Sequence, residues 1–189
     1  MRELVYYVAV SIDGFVAAPD GGYEAFLAEG DHMSVVLGEF ADAVPAHGLL
    51  ALGKRAPGTR FDTVIQGWHS YELALAVGIE RPYAHLREYV ATRSPRAAVP
   101  GVTFTADALA TVRELKREEG LGIYLCGGGQ LAGSLLPEID LLILKRSPVV
   151  LGDGIPLFGA AEPAARAFRL VDVRRFDSGV LIEEYERAD

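Results

Sequence analysis

Apolar residues recur along this chain in two alternating rhythms. Dense runs of four to seven, rich in Val, Ile and Tyr, alternate with stretches whose apolar positions fall three or four apart. The first rhythm is that of strands buried on both faces and the second that of amphipathic helices. Residues Leu4 to Val10 (LVYYVAV) predict the first strand, followed by a short extended piece between the turn signals Asp13-Gly14 and Asp20-Gly21-Gly22. Residues 31–52 carry Val35, Val36, Phe40, Val44, Leu49 and Leu50 at helical spacing, interrupted by Pro45. They predict one helix to about Ala43 and a short helical piece after it.

The alternation continues with a strand FDTVIQG ending at Gly67, then a helix WHSYELALAVG with Ser70 placed to cap it and Glu72 in its first turn. A strand within HLREYVATRS breaks at Ser94-Pro95-Arg96, and a short strand GVTFT follows. Asp107 is placed to cap a charged amphipathic helix, Ala108 to Glu119. Next come the strand Ile123–Cys126, three glycines, a helix stopping at Pro137, and the apolar run DLLILKRS. The last residues alternate on either side of Asp177-Ser178-Gly179 and predict a hairpin. Repeated strand–helix pairs bury their faces best as helices covering a mostly parallel sheet. The expectation is an α/β fold over residues 1–189 as one domain, its sheet mixed because the C-terminal hairpin is antiparallel.

Composition narrows the partners. Acidic residues outnumber basic ones 26 to 18, giving a net charge of −8. Phosphate-backbone binding rests on clustered Lys and Arg, so nucleic acid is excluded as an expected partner. No run approaches the roughly 20 apolar residues of a membrane span, and the N-terminus lacks the pattern of a signal peptide, so a cytoplasmic location is expected. The single cysteine, Cys126, cannot build a disulfide framework or a Cys-rich zinc site, and its place in an apolar strand suggests a buried filler. His32, His47, His69 and His85 show no paired spacing and read as surface histidines, so no metal is expected. A P-loop and a G-x-S-x-G elbow are both absent.

Candidate chemistry lies at the strand ends, where open α/β sheets bind ligands. Four ends are more polar or glycine-rich than packing requires: Ser11-Ile12-Asp13-Gly14, Gly67-Trp68-His69-Ser70, Thr92-Arg93-Ser94, and Cys126-Gly127-Gly128-Gly129. Glycine at a strand-to-helix turn lets backbone N–H groups approach a phosphate, and two such turns suit a dinucleotide's pyrophosphate. Close helix–sheet packing explains such glycines equally well. Gly127 to Ala132 also fits G-x-G-x-x-A, but the following strand ends without the acidic ribose ligand of that fingerprint.

Four segments together, VAVSIDGFVA (8–17), DTVIQGWHSYE (62–72), IYLCGGGQLAGSLL (123–136) and SPVVLGDGIPLF (147–158), resemble the dihydrofolate-reductase-like family, in its branch containing the riboflavin-biosynthesis reductase domain. The resemblance implies a three-layer fold that binds NADPH along the strand ends, and often a homodimer. It places Gly67, Trp68, His69 and Ser70 at the cofactor phosphates, and Thr92, Arg93 and Ser94 near the adenosine ribose. Gly127, Gly128, Gly129, Gln130 and Leu131 fall under the pyrophosphate, and Ala9, Ser11, Phe15 and Ala17 around the nicotinamide. Ser11, Asp13 and Phe158 fall at a small-molecule substrate pocket, with Asp13 as the candidate proton donor, although an Asp before Gly more often simply forms a turn. Trp68 stands where the family carries an Arg that reads the ribose 2′-phosphate, which leaves NADH open beside NADPH; Arg93 could substitute, or Trp68 could stack on adenine. Residues 24–60 do not match the family's carboxylate-bearing helix; Glu24, Glu29, Asp31 and Glu39 are candidates, for each of which a solvated helix surface is the commoner role. The expected activity is NAD(P)H-dependent reduction of a small heteroaromatic (pterin- or pyrimidine-like) or carbonyl substrate. The alternative is a non-catalytic dimeric sensor of nucleotides or small molecules using the same cleft.

Overall fold

Each strand predicted from a dense apolar run is present in the computed structural model, which describes residues 1–159, 161 and 164–188. In chain order the elements are β1 (Leu4–Val10), β2 (Phe15–Ala17), α1 (Met33–Gly38), a 3-10 turn (Ala41–Ala43), α2 (Ala46–Ala51), β3 (Phe61–Gly67) and α3 (Trp68–Ala76). Then follow β4 (Arg87–Ala91), β5 (Val102–Thr105), α4 (Ala108–Arg117), β6 (Gly122–Gly127), α5 (Gly129–Leu135), β7 (Leu141–Arg146), β8 (Ile155–Pro156), β9 (Phe168–Arg175) and β10 (Leu181–Arg187). The main sheet runs β5-β4-β3-β6-β1-β7-β10-β9. Its first six strands are mutually parallel, and β10 pairs antiparallel with both β7 and β9. The mixed sheet with a C-terminal hairpin is therefore as the apolar pattern implies.

Alternation along the strands builds two cores, one on each face of the sheet. Leu4 and Tyr6 of β1 pack with Ile65, Ile123 and Leu125 beneath Val112 and Leu115 of α4 and Ala132 and Leu135 of α5. Val5 and Tyr7, pointing the other way, pack with Val64, Tyr124, Ile143 and Ile182 against Phe40 and Ala43. Helices on both faces make three layers.

Residues 31–52 do not form one helix to Ala43. α1 stops at Gly38, and Asp42 turns inward, 1% exposed, in the following 3-10 turn. Its carboxylate accepts the backbone N–H groups of Gly58 (2.8 Å), Thr59 (2.9 Å), Arg60 (2.8 Å) and Phe61 (3.2 Å). This anchors the loop that feeds β3, a tertiary demand that helical spacing cannot register. Burial pushes the Asp42 carboxyl upward, but the N–H donors of Arg60, Gly58, Phe61 and Thr59 together outweigh it and hold it below the usual carboxylate range. A depressed folded-state pKa contributes stability above the unfolded value of about 3.9 and loses it as pH falls through the folded value. Asp42→Ala is expected to cost about 3 kcal/mol at neutral pH, since it orphans buried N–H donors. The difference from wild type should shrink below about pH 4, which denaturant melts at pH 7 and pH 3 would check.

Two local expectations are corrected. Ser70 does not cap α3: the helix begins at Trp68, with Gly67 as its N-cap and no side-chain cap bond, because β3 runs straight into it. His32 is not a surface residue but fully buried, its ring nitrogens 3.2 Å from Ser178 Oγ and 3.3 Å from Leu27 O. Asp107 does cap α4, accepting from Ala110 N at 2.9 Å.

Candidate functional site

The parallel order brings the C-terminal ends of β4, β3, β6, β1 and β7 to one edge of the sheet, and most of the candidate residues stand there. Gln66 pairs in register with Gly127, so the turns after β3 and β6 lie side by side. A Cβ built on Gly67 would meet Gly127 O at 3.6 Å and Gly128 N at 3.7 Å, and one on Gly128 would meet only Ser70 Oγ, at 3.9 Å.

The three consecutive glycines have three different reasons. Gly127 has φ of +117°, a region L side chains rarely adopt. Gly129 lies against the 156–159 segment: a Cβ there would overlap the carbonyl oxygen of Pro156, and its own carbonyl accepts from Gly159 N at 2.9 Å. Gly133, one turn further along α5, is pressed in the same way against the carbonyl oxygen of Gly159. Gly128 has neither reason. Its backbone is extended (φ −83°, ψ −170°), and the space a side chain would fill is free of protein apart from Ser70. Among the three, it is Gly128 whose Cβ the surrounding protein leaves room for.

Trp68 opens α3 beside this turn and packs on Tyr71 (5.8 Å between ring centroids) and Phe104 (6.4 Å). The guanidinium of Arg96 lies 3.4 Å from the Trp68 ring centroid, on the indole face. Arg93 and Arg96 are both exposed, and neither forms an ion pair among the described residues. His69 is almost entirely exposed, its Nδ1 3.6 Å from Glu72 Oε2. Thr92 closes a small turn, donating to Ser94 O at 3.1 Å. Gln130 is exposed and Leu131 half-buried on the first turn of α5.

The second group surrounds the end of β1. Ser11 is buried; its hydroxyl donates to Asp13 Oδ1 (2.6 Å) and accepts Phe15 N–H (2.9 Å). Asp13 also accepts the N–H groups of Leu151 (3.2 Å) and Gly152 (2.8 Å), which ties the 147–154 loop to β1. The Ser11 hydroxyl, seconded by those N–H donors, holds the Asp13 carboxyl below the usual carboxylate range. The carboxylate is thus ionised and already occupied as a latch. Phe15 and Ala17 form β2, which pairs with β8, and a Cβ on Gly154 would overlap Ala17 O. Phe158 packs edge-on to Tyr6, centroids 5.8 Å apart, on the face covered by α5. Ala9 faces the other side, in register with Lys145.

Other expectations resolve simply. The Cys126 thiol is pushed up by burial and sits 3.3 Å from the Tyr83 hydroxyl, the surroundings of a filler rather than a nucleophile. Asp31 and Glu39 are more than solvated helix residues: Asp31 accepts from Asp177 N and Ser178 N of the hairpin turn, and Glu39 pairs with Arg60 and Arg174. Among the described residues no three His, Cys, Asp or Glu side chains group to hold a metal ion, and no helix is long and apolar enough to cross a membrane.

Comparison with known proteins meets this geometry directly. The family model described as the RibD C-terminal domain matches residues 2–182. The chain belongs to the RibD C-terminal domain family. One relative, the uncharacterized protein YwjB of Bacillus subtilis (strain 168), is 34% identical over 194 residues, covering 99% of both chains. Solved structures of two enzymes share the fold. A diaminohydroxyphosphoribosylaminopyrimidine deaminase/5-amino-6-(5-phosphoribosylamino)uracil reductase of Thermotoga maritima superposes with TM-score 0.67 at 14% identity, over 99% of this chain and 57% of that one. Dihydrofolate reductase of Enterococcus faecalis, complexed with NADP(H) and RAB-propyl, superposes with TM-score 0.63 at 17% identity over 99% and 97% of the two chains. The expected branch of the dihydrofolate-reductase-like fold is thereby established for this RibD C-terminal domain protein. Trp68, where the resemblance implies an Arg, falls at the turn after β3, whereas residues 24–60, the other expected departure, lie around α1 and α2. Arg96 is the basic residue beside Trp68 that the motifs did not single out. The one signal for it was a basic residue directly after Ser94-Pro95, in a loop whose path only the fold defines.

Proposed function

We propose that this protein is an NADPH-dependent reductase of a small heteroaromatic or carbonyl compound, binding its cofactor across the strand ends from Trp68 to Ala9. The observation that carries the reading is Gly128, a glycine whose Cβ would meet nothing closer than Ser70 Oγ at 3.9 Å, at the turn where β6 runs into α5. A pyrophosphate against the backbone N–H groups there gives the empty space a purpose. Gly67, adjoining it, is likewise in only ordinary contact with its neighbours. When bound, the dihydronicotinamide supplies a hydride; the chain's own residues bind, orient and polarise. Ser11 and Asp13 fix the loop 147–154, and Ala9 leaves space above β1. Arg96, carried on the indole of Trp68, places a guanidinium at the turn and favours a cofactor bearing a ribose 2′-phosphate.

The test is a titration of the purified protein with NADPH and NADH, followed by fluorescence of its single tryptophan, Trp68. Saturable quenching, stronger with NADPH, is expected. Silence in both fluorescence and calorimetry would remove the reductase reading. Saturable binding with no NADPH oxidation by any pterin, pyrimidine or carbonyl compound would point to the sensor.

The same reading includes a homodimer. β9 ends the sheet, and Leu170, Val171 and Val173 along it are 49%, 39% and 42% exposed. Apolar edge strands of soluble proteins are usually covered or charged, so a second copy is the proposed cover. Sedimentation velocity of Val171→Lys/Val173→Lys should then give a monomer where the wild type gives a dimer.

A further inference from the structure

Among the described residues, several hydrogen-bond donors on one face of the sheet lack acceptors. They lie on the face that packs against Phe40 and Ala43, where Tyr7 and Ala9 of β1, Val64 and Gln66 of β3, and Ile143 and Lys145 of β7 all point. The Tyr7 hydroxyl and the Gln66 amide nitrogen are buried without a partner, their residues 7% and 1% exposed. Lys145 is half-buried at the end of β7 and forms no ion pair or hydrogen bond among the described residues. A lysine at a sheet edge ordinarily carries its ammonium into bulk water. Burial instead holds this one below the ordinary lysine range, and its charge adds to burial in depressing His32.

Among the described residues, Asp42, Glu39, Glu184 and Asp31 on this face are engaged; Glu88 of β4, in register with Val64, leaves Oε2 unpartnered, but β4 lies four strands from β7, roughly 19 Å at the backbone. Asp42 is taken by the backbone of residues 58–61, Glu39 by Arg60 and Arg174, Glu184 by Arg174, and Asp31 by the turn at Asp177 and Ser178. Arg146, next to Lys145 but on the other face, is held by Glu183 at 2.8 Å. Buried polar groups are almost always paired, so an ammonium without a partner, beside further unmatched donors, calls for a ligand that is rich in acceptors. Ala9, directly opposite Lys145 in the β1–β7 register, presents only a methyl group beside it.

We propose that Lys145 is the residue that selects the substrate: a flat heteroaromatic compound bearing a carboxylate or an ionised lactam, whose negative oxygen pairs with Lys145 over Ala9 while ring acceptors face the Gln66 side. The inference rests on the reductase reading, which puts the reacting end of the cofactor at Ala9. It goes further in fixing the charge of the substrate and the residue that reads it. Adjacent strands lie about 4.8 Å apart, so β3 and β7, three steps apart, set Gln66 and Lys145 roughly 14 Å apart at the backbone, room for a ring system between their side chains.

The experiment uses two pairs of probes that differ only in charge, uracil-6-carboxylate against uracil and pterin-6-carboxylate against pterin. Calorimetry is run on the protein both free and with saturating NADPH. In at least one pair the carboxylate is expected to bind roughly tenfold or more tightly, the margin of a charge-assisted over a neutral hydrogen bond. Lys145→Met should erase that ratio, Lys145→Arg should keep most of it, and Gln66→Leu should weaken both members of the pair alike. Equal affinities in wild type, no binding by any of the four probes, or a ratio that survives Lys145→Met would overturn the proposal. Failure of the underlying reading is seen separately, as wild-type protein whose Trp68 fluorescence does not respond to NADPH.

Discussion

Gly128→Val is expected to fold with nearly wild-type stability and to lose NADPH binding by a hundredfold or more. The basis is the difference between three glycines in a row. A Cβ at position 128 meets only Ser70 Oγ at 3.9 Å, so the surrounding protein leaves it room. A branched side chain would occupy the volume through which a phosphate reaches the backbone of the turn, and displacing a charged group by an ångström or two forfeits most of its charge-assisted hydrogen bonds. Gly129→Ala is the control and should behave in the opposite way. Its Cβ would overlap the Pro156 carbonyl, a backbone atom that cannot swing aside, so thermal stability should fall by several degrees or folding should fail. Circular dichroism melts and Trp68 quenching separate the two effects. Gly128→Val with unchanged NADPH affinity would leave the turn without a ligand.

The second large effect is expected at Arg96. Replacement by Ala should lower NADPH affinity ten- to a hundredfold and leave NADH nearly unchanged, because a guanidinium–phosphate contact contributes about 1.5–3 kcal/mol and NADH has no 2′-phosphate to lose. Arg96 is exposed and packs only on the face of Trp68, so the fold should not notice its removal. Arg93→Ala in parallel asks which arginine of the loop does the reading. A drop shared equally by NADPH and NADH would mean that the arginine supports Trp68 and does not read the phosphate. A drop in neither would return the preference to Trp68 itself.

These predictions mark where sequence reading ends. The strand-end turns could be found from residue order alone, because glycine between a dense apolar run and a helical pattern marks a strand-to-helix junction. Which of the three leaves room for a Cβ could not be found that way, since Gly127, Gly128 and Gly129 differ only in backbone angle and in what a Cβ would touch. Asp13 shows the same limit. Asp-Gly marks a turn, but only the fold brings Leu151 and Gly152, more than 130 residues away, onto its carboxylate.

By itself the sequence determined the fold class, the order of strands and helices, the hairpin and the family. Those follow from local periodicity and from motifs whose spacing survives without three-dimensional information. The tertiary structure decided the identity of partners. Asp42 turned from a helix residue into an anchor for four N–H groups, and His32 left the surface for the core. Arg96 came to lie on Trp68, and Lys145 emerged as a cation without an ion-pair partner among the described residues. The reason is physical: periodicity reports which face of an element is apolar, whereas a hydrogen bond or an ion pair depends on which distant segment arrives opposite that face.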